Sequence, residues 1–176
     1  MIERLTSFTL RPFQTSTTYR NLKRTGLGVF HVTDDVEMLA QAAIGRLQPT
    51  PEVRKLPDRE AVVLTNACRW FLLEVASLDD QEERTTIECR PIDQGEQLPY
   101  FGLNRAKHAV VEAAILATRL HLTTREQIEP QLAALRPLVE KTAGEAERRA
   151  FAMLERFIAE HYAKAASPEL GEVRHG

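Results

Sequence analysis

The stretch RPFQTSTTYRNLKRTGLGVFHVTDD, Arg11 to Asp35, sets the frame for the whole chain. It begins extended, because Pro12 biases Arg11 away from helical geometry and bars a central strand position. Four hydroxyl residues follow, Thr15, Ser16, Thr17 and Thr18, and then a short basic helix predicted over 17–24. Gly26 stands where a left-handed residue ends such a helix. Gly28 to Thr33, β-branched and aromatic, reads as a strand. Asp34 followed by Glu37 is an acidic capping pattern for a second helix through Val36, Leu39, Ala40 and Ala43, closed by Gly45. Hydroxyls and free N–H groups at a helix N-terminus, with Arg11, Arg20, Lys23 and Arg24 nearby, are what a phosphate needs. An ordinary N-cap at Thr15 or Ser16 accounts for the same residues. Both readings stand at this point.

Working outward, Ile2 to Phe8 reads as a strand end. From Leu47 to Arg59 the chain carries Pro49, Pro51 and Pro57 among scattered charges and reads as a surface loop. Strands are predicted over 61–65, 69–78 and 84–92, the last two joined as a hairpin by the acidic turn 79–83. Thr85, Ile87 and Cys89 alternate with Thr86, Glu88 and Arg90, the period of a half-buried strand. Gly95 and Pro99 close the β region. The period then lengthens to that of a helix. Asn104 caps a helix to about Leu120, and Thr123 or Thr124 opens another, interrupted by Pro130 and Pro137. Thr142 and Glu145 form a capping box for a third, whose apolar stripe runs Ala150, Met153, Leu154, Phe157, Ile158, Tyr162. Glu169 to Gly176 reads as a loose tail. Strands followed by helices mean an α+β chain, divided as a β domain over 1–100, a helical domain over 101–166 and a tail over 167–176.

The chain has 176 residues, 43% hydrophobic and 27% charged, with a net charge of −2. That is enough to bury a core in one domain or one with an appendage, and the charge argues against nucleic acid as a partner. Cys68 and Cys89 lack metal-ligand or redox spacing and read as small buried apolar residues. No apolar leader is evident, and the longest apolar run, near Ala109 to Leu120, is broken by Glu112 and Arg119. No membrane partner and a cytoplasmic location are expected.

Chemistry has few other footholds. At 100° per residue, Arg105, His108, Glu112 and Arg119 share one stripe of an alanine-rich helix, which is either a site or a solvated face. His31 with Asp34 and Asp35 is a weak ligand set, and the aspartates are better read as caps, so no metal is expected. There is no GxGxxG loop, no GxSxG elbow and no carboxylate pair in apolar surroundings. No catalytic residue is assigned.

RPFQTSTTYRNLKRTGLGVFHVTDD, FGLNRAKHAVVEAAILATRLHL (Phe101 to Leu122) and VEKTAGEAE (Val139 to Glu147) together resemble domain-of-unknown-function family 447. Its members are similar to flavin-reductase-type FMN-binding split barrels with a helical C-terminal part. The resemblance runs from about Arg11 to Phe157. It implies a split β-barrel followed by three helices, a homodimer, and FMN in a cleft near the subunit interface. It places the flavin phosphate near Ser16, Thr17, Thr18 and Tyr19, with Arg11 and Asn21 as neighbours, and brings Asn104 and Arg105 to the flavin cleft. An FMN-dependent oxidoreductase acting on an unknown small molecule is the leading expectation. A dimeric accessory protein without flavin, or a pterin-linked protein of one-carbon metabolism, are the alternatives. Relatives carry further N-terminal strand sequence before the position of Arg11. The expectation is therefore a barrel without its first hairpin, or a start assigned too far downstream.

Overall fold

The computed structural model describes residues 5–166. Ile2 to Arg4 of the expected first strand, and the expected tail, lie outside them. The chain is α+β, as expected: an antiparallel half-barrel sheet, a two-stranded ribbon and five helices among the described residues. It divides into two compact units, one of residues 1–34 and 51–101, the other of 35–50 and 102–176.

In the first unit, β1 (Phe8–Leu10), β2 (Leu27–Val32), β5 (Arg69–Asp79) and β6 (Thr86–Glu96) form one antiparallel sheet in the order β1-β6-β5-β2. Register shifts at Leu72/Leu73 and Val75/Ser77 raise the local twist of the long β5–β6 hairpin. The alternation around Ile87 is as expected, with Thr85, Ile87 and Cys89 all buried. One face packs Phe71, Leu73, Ile87 and Cys89 against Tyr19 and Leu22 of α1 (Thr17–Thr25). The other buries Trp70 and Leu72 beneath Leu56 and Val63. Those two come from the β3–β4 ribbon region (Val53–Lys55 with Val62–Leu64). β3 falls inside the stretch read as loop. Its three residues are all exposed and pair only with β4, so it leaves no apolar pattern to read.

Two features pin this unit. Gly95 stands at the end of β6, the last strand, where the Trp70 indole packs on its backbone. A Cβ there would stand 2.7 Å from the indole nitrogen. Trp70 is buried and cannot withdraw, so Gly95→Ala is expected to cost about 1–3 kcal/mol by overpacking. Urea unfolding followed by the fluorescence of this sole tryptophan measures it.

The second pin is His31. Its Nε2 accepts the Leu64 N–H at 3.0 Å and so ties the ribbon to β2. Only the neutral ring can accept, and burial lowers its pKa below the ordinary 6.5. The folded state thus binds fewer protons than the unfolded one just below pH 6.5. The stability this group contributes is full above that value and is lost as pH falls through the folded pKa. His31→Gln keeps an acceptor that does not titrate. Unfolding free energies between pH 7.5 and 5 should therefore fall less steeply in the variant than in the wild type.

The second unit contains α2 (Val36–Ala43), α3 (Arg105–Ala117), α4 (Arg125–Thr142) and α5 (Glu145–Ala166). The division at residue 100 read from the sequence leaves α2 with the strands. In the structure Val36 and Ala40 of α2 pack instead into a core with Ala106, Ala109, Val110, Ala113, Ile128 and Leu154. Alanines on α3 let the neighbouring helices approach closely. Asp35, not Asp34, caps α2, its carboxylate accepting the Met38 N–H at 3.0 Å. Glu37 forms no capping box and pairs with both ends of the Arg149 guanidinium. Asn104 caps α3 as expected, accepting the Lys107 N–H at 2.8 Å.

Thr142 makes no capping box with Glu145. It ends α4, donating to Leu138 O and accepting the Ala106 N–H, while Glu147 accepts the Gly144 N–H at the start of α5. Pro130 and Pro137 do not interrupt α4, which runs unbroken past both. Each proline removes a bond on the exposed side, and burial of Ile128, Leu132 and Val139 offsets the loss.

Candidate functional site

The first turn of α1 is built by local chemistry. Ser16 takes an extended conformation and its Oγ accepts the Tyr19 N–H at 3.1 Å. Gly26, at φ 66°, closes the helix by donating to Leu22 O, and Lys23 and Arg24 complement its negative end. At the other end no acidic residue occupies the first turn. Thr17 and Thr18 are exposed, and as the first helical residues their N–H groups have no helix carbonyl to bond. The Arg20 guanidinium folds back over this turn, donating to Thr15 O at 3.0 Å and Thr17 Oγ at 3.1 Å. The result is a positive helix end with hydroxyls, open amides and a cation.

This turn is latched to the tip of the β5–β6 hairpin. The Gln14 side chain donates to Asp80 O and Glu82 O, and the Arg84 guanidinium to Arg11 O. Tyr19 is buried and donates its hydroxyl to Asp80, whose carboxylate also receives Lys23 at 2.6 Å. The hydrogen bond from Lys23 holds the Asp80 pKa below the usual carboxylate range, and the same bond raises that of Lys23. The Tyr19 hydroxyl is therefore committed to the latch, whereas the Arg11 and Asn21 residues are exposed. Ser16, Thr17, Thr18, Tyr19 and Asn21 lie on α1 and its cap, and the Arg11 backbone is tied by Arg84 to the same hairpin end. Asn104 and Arg105 belong to the other compact unit, at the N-terminus of α3.

The stripe Arg105, His108, Glu112 and Arg119 behaves as a solvated face. Three of the four are exposed, and no side-chain hydrogen bond or ion pair joins them. Among the described residues no cluster of His, Cys, Asp and Glu is arranged to hold a metal. His31 is engaged with Leu64, Asp35 with α2, and Asp34 with the Phe101 N–H at 2.9 Å.

A second feature escapes a reading along the sequence. At the base of the β5–β6 hairpin, opposite the latched tip, lies a cleft of about 370 Å³. Its floor is the rung Val32–Arg69–Glu96 with Phe71, and Leu98 and Tyr100 rise beside it. Three separate strands supply that rung, so no local spacing signals it.

The family of proteins of unknown function DUF447 matches this chain in both of its parts, the N-terminal domain over residues 1–97 and the C-terminal domain over 104–156. The chain belongs to the DUF447 family. An FMN-bound DUF447 protein from Methanosarcina mazei shares its fold, with a TM-score of 0.73 and 23% identity over 85% of this chain and 80% of that one. Weaker structural likenesses include an NADH:FAD oxidoreductase from Streptomyces globisporus (TM-score 0.43, 10% identity, 51% and 53% of the two chains). The flavin reductase of styrene monooxygenase from Pseudomonas putida is another (TM-score 0.40, 17% identity, 53% and 60%). No curated protein matches the chain significantly. Among the described residues of this DUF447 chain no helix is long and apolar enough to cross a membrane.

Proposed function

We propose that this DUF447 protein binds FMN, with the flavin phosphate at the first turn of α1. The observation that carries the reading is the state of that turn: two open amides, exposed Thr17 and Thr18 hydroxyls, the Arg20 guanidinium, and no acidic side chain. A phosphate monoester matches this donor set in charge and in hydrogen-bonding sense. The FMN carried by the Methanosarcina relative supports the choice of ligand. Within the proposal Ser16 and Tyr19 shape the turn, since their hydroxyls already serve the helix cap and the Asp80 latch. Arg11 and Asn21 flank the phosphate. Asn104 and Arg105 are assigned to the flavin as well, and the protein to a cytoplasmic homodimer.

When bound, FMN supplies hydride and electron chemistry, and the protein supplies binding and orientation. An oxidoreductase acting on a small molecule is the activity this favours. The purified protein should show the absorbance bands of bound flavin, or acquire them on addition of FMN. A colourless protein that takes up no FMN overturns the reading.

A further inference from the structure

We propose that the cleft at the base of the β5–β6 hairpin binds a planar heteroaromatic ring by its lactam or imide edge. Such an edge presents a carbonyl acceptor beside an N–H donor. Arg69 and Glu96 are direct cross-strand partners and present the complementary pair, guanidinium donors beside a carboxylate acceptor. They do not consume each other. Arg69 Nη1 and Glu96 Oε1 are 3.7 Å apart, beyond hydrogen-bond length, and the Glu96 side chain is 73% exposed.

The guanidinium is also preorganised. It lies 4.8 Å from the centroid of the Phe71 ring and donates from Nη2 to Gln94 at 3.2 Å. Its Nε is buried with no acceptor, so the group is underbonded where it stands. The walls suit a ring face, since Leu98 and Tyr100 are about half exposed, at 47% and 50%. A volume of about 370 Å³ is at the small end for ligand sites, enough for a two- or three-ring system. Charge narrows the class further. Asp34, bonded to the cleft residue Cys68, adds a second carboxylate, so the site favours a neutral ring over a free acid.

This inference goes beyond the FMN reading and does not need the phosphate site. The α1 turn sits at Asp80, at the hairpin tip, and the rung lies at Arg69, at the other end of β5. Along the strand that is at most roughly 35 Å. The two sites share no residue, so each can be tested without the other. Two sources share the required chemistry: the ring of a flavin held elsewhere, and a separate heterocyclic substrate.

Calorimetric titration of the full chain with quinazolinedione and with lumiflavin, neither of which carries a phosphate, tests the proposal. Glu96→Gln and Arg69→Lys serve as variants, with circular dichroism to confirm their fold. At least one ring should bind saturably, and each variant should weaken it roughly tenfold or more, the loss expected for a hydrogen bond to a charged group. Binding of lumiflavin alone assigns the cleft to a flavin ring, and binding of quinazolinedione as well admits a separate heterocycle. Failure of both rings to bind, or affinities unchanged in both variants, overturns the proposal. FMN binding that persists in those variants would leave the phosphate reading standing while this one falls.

Discussion

Alanine at both Arg11 and Thr17 is expected to weaken FMN binding by about two orders of magnitude while leaving the protein folded. Each substitution removes a donor to a doubly charged phosphate, and bonds to charged groups contribute about 1.5–3 kcal/mol apiece. Taking about 1.4 kcal/mol per tenfold change, two such losses reach a hundredfold or more. The fold should tolerate both changes. Arg11 and Thr17 are exposed, the Arg84 bond goes to the Arg11 backbone carbonyl, and Arg20 keeps its bond to Thr15 O. Riboflavin is the control, because it has no phosphate to lose contact with. A fall confined to FMN is the expected pattern. Equal affinity of wild type and double variant for FMN would move the phosphate elsewhere.

The largest effect on stability is expected from Lys107→Met. Lys107 on α3 faces Glu147 on α5 at 3.7 Å, with the two side chains 13% and 10% exposed. Removing the cation leaves a carboxylate in a largely buried position, and breaking such a pair from one side costs about 3–5 kcal/mol. Replacing both partners is cheaper. In a Lys107→Met, Glu147→Leu protein no charge is stranded, and the Gly144 N–H that Glu147 received is exposed enough to bond water. Urea unfolding of the two single variants and the double variant should give a coupling of about 1–3 kcal/mol. A double variant as unstable as the sum of the singles would show that the pair contributes nothing as a pair.

What the sequence disclosed, and what it hid, follows the range of the interaction involved. Ser16, Gly26 and Asn104 were legible because a cap is settled within four residues. The β5–β6 hairpin was legible because alternation at Thr85, Ile87 and Cys89 states which face is buried. Asp34 was misread for the opposite reason: Asp34 and Asp35 are chemically equivalent caps, and distant groups, the Phe101 N–H and the Cys68 thiol, engage Asp34 instead. Pro130 and Pro137 predict interruptions by local rules, yet tertiary burial of α4 overrides them. At the candidate phosphate turn the hydroxyls and cations were visible, being contiguous. The engagement of Tyr19 by Asp80, sixty-one residues away, was not. The Arg69 cleft was invisible because strands far apart in sequence supply its floor.

The helical unit is discontinuous in sequence, with α2 placed ahead of the β3–β6 strands and its packing partners behind them. During synthesis α2 leaves the ribosome more than sixty residues before the first of those partners, so Val36 and Ala40 spend that interval without their native cover. The strand unit meets no such delay, since all its parts are made by residue 101. A nascent chain halted once residue 101 has cleared the ribosome should hold a folded sheet and a solvent-facing α2, an apolar surface for chaperones to recognise. The same order sets a rule for dissection. A fragment beginning at residue 102 lacks one wall of its own core, whereas one that rejoins 35–50 to 102–166 restores it.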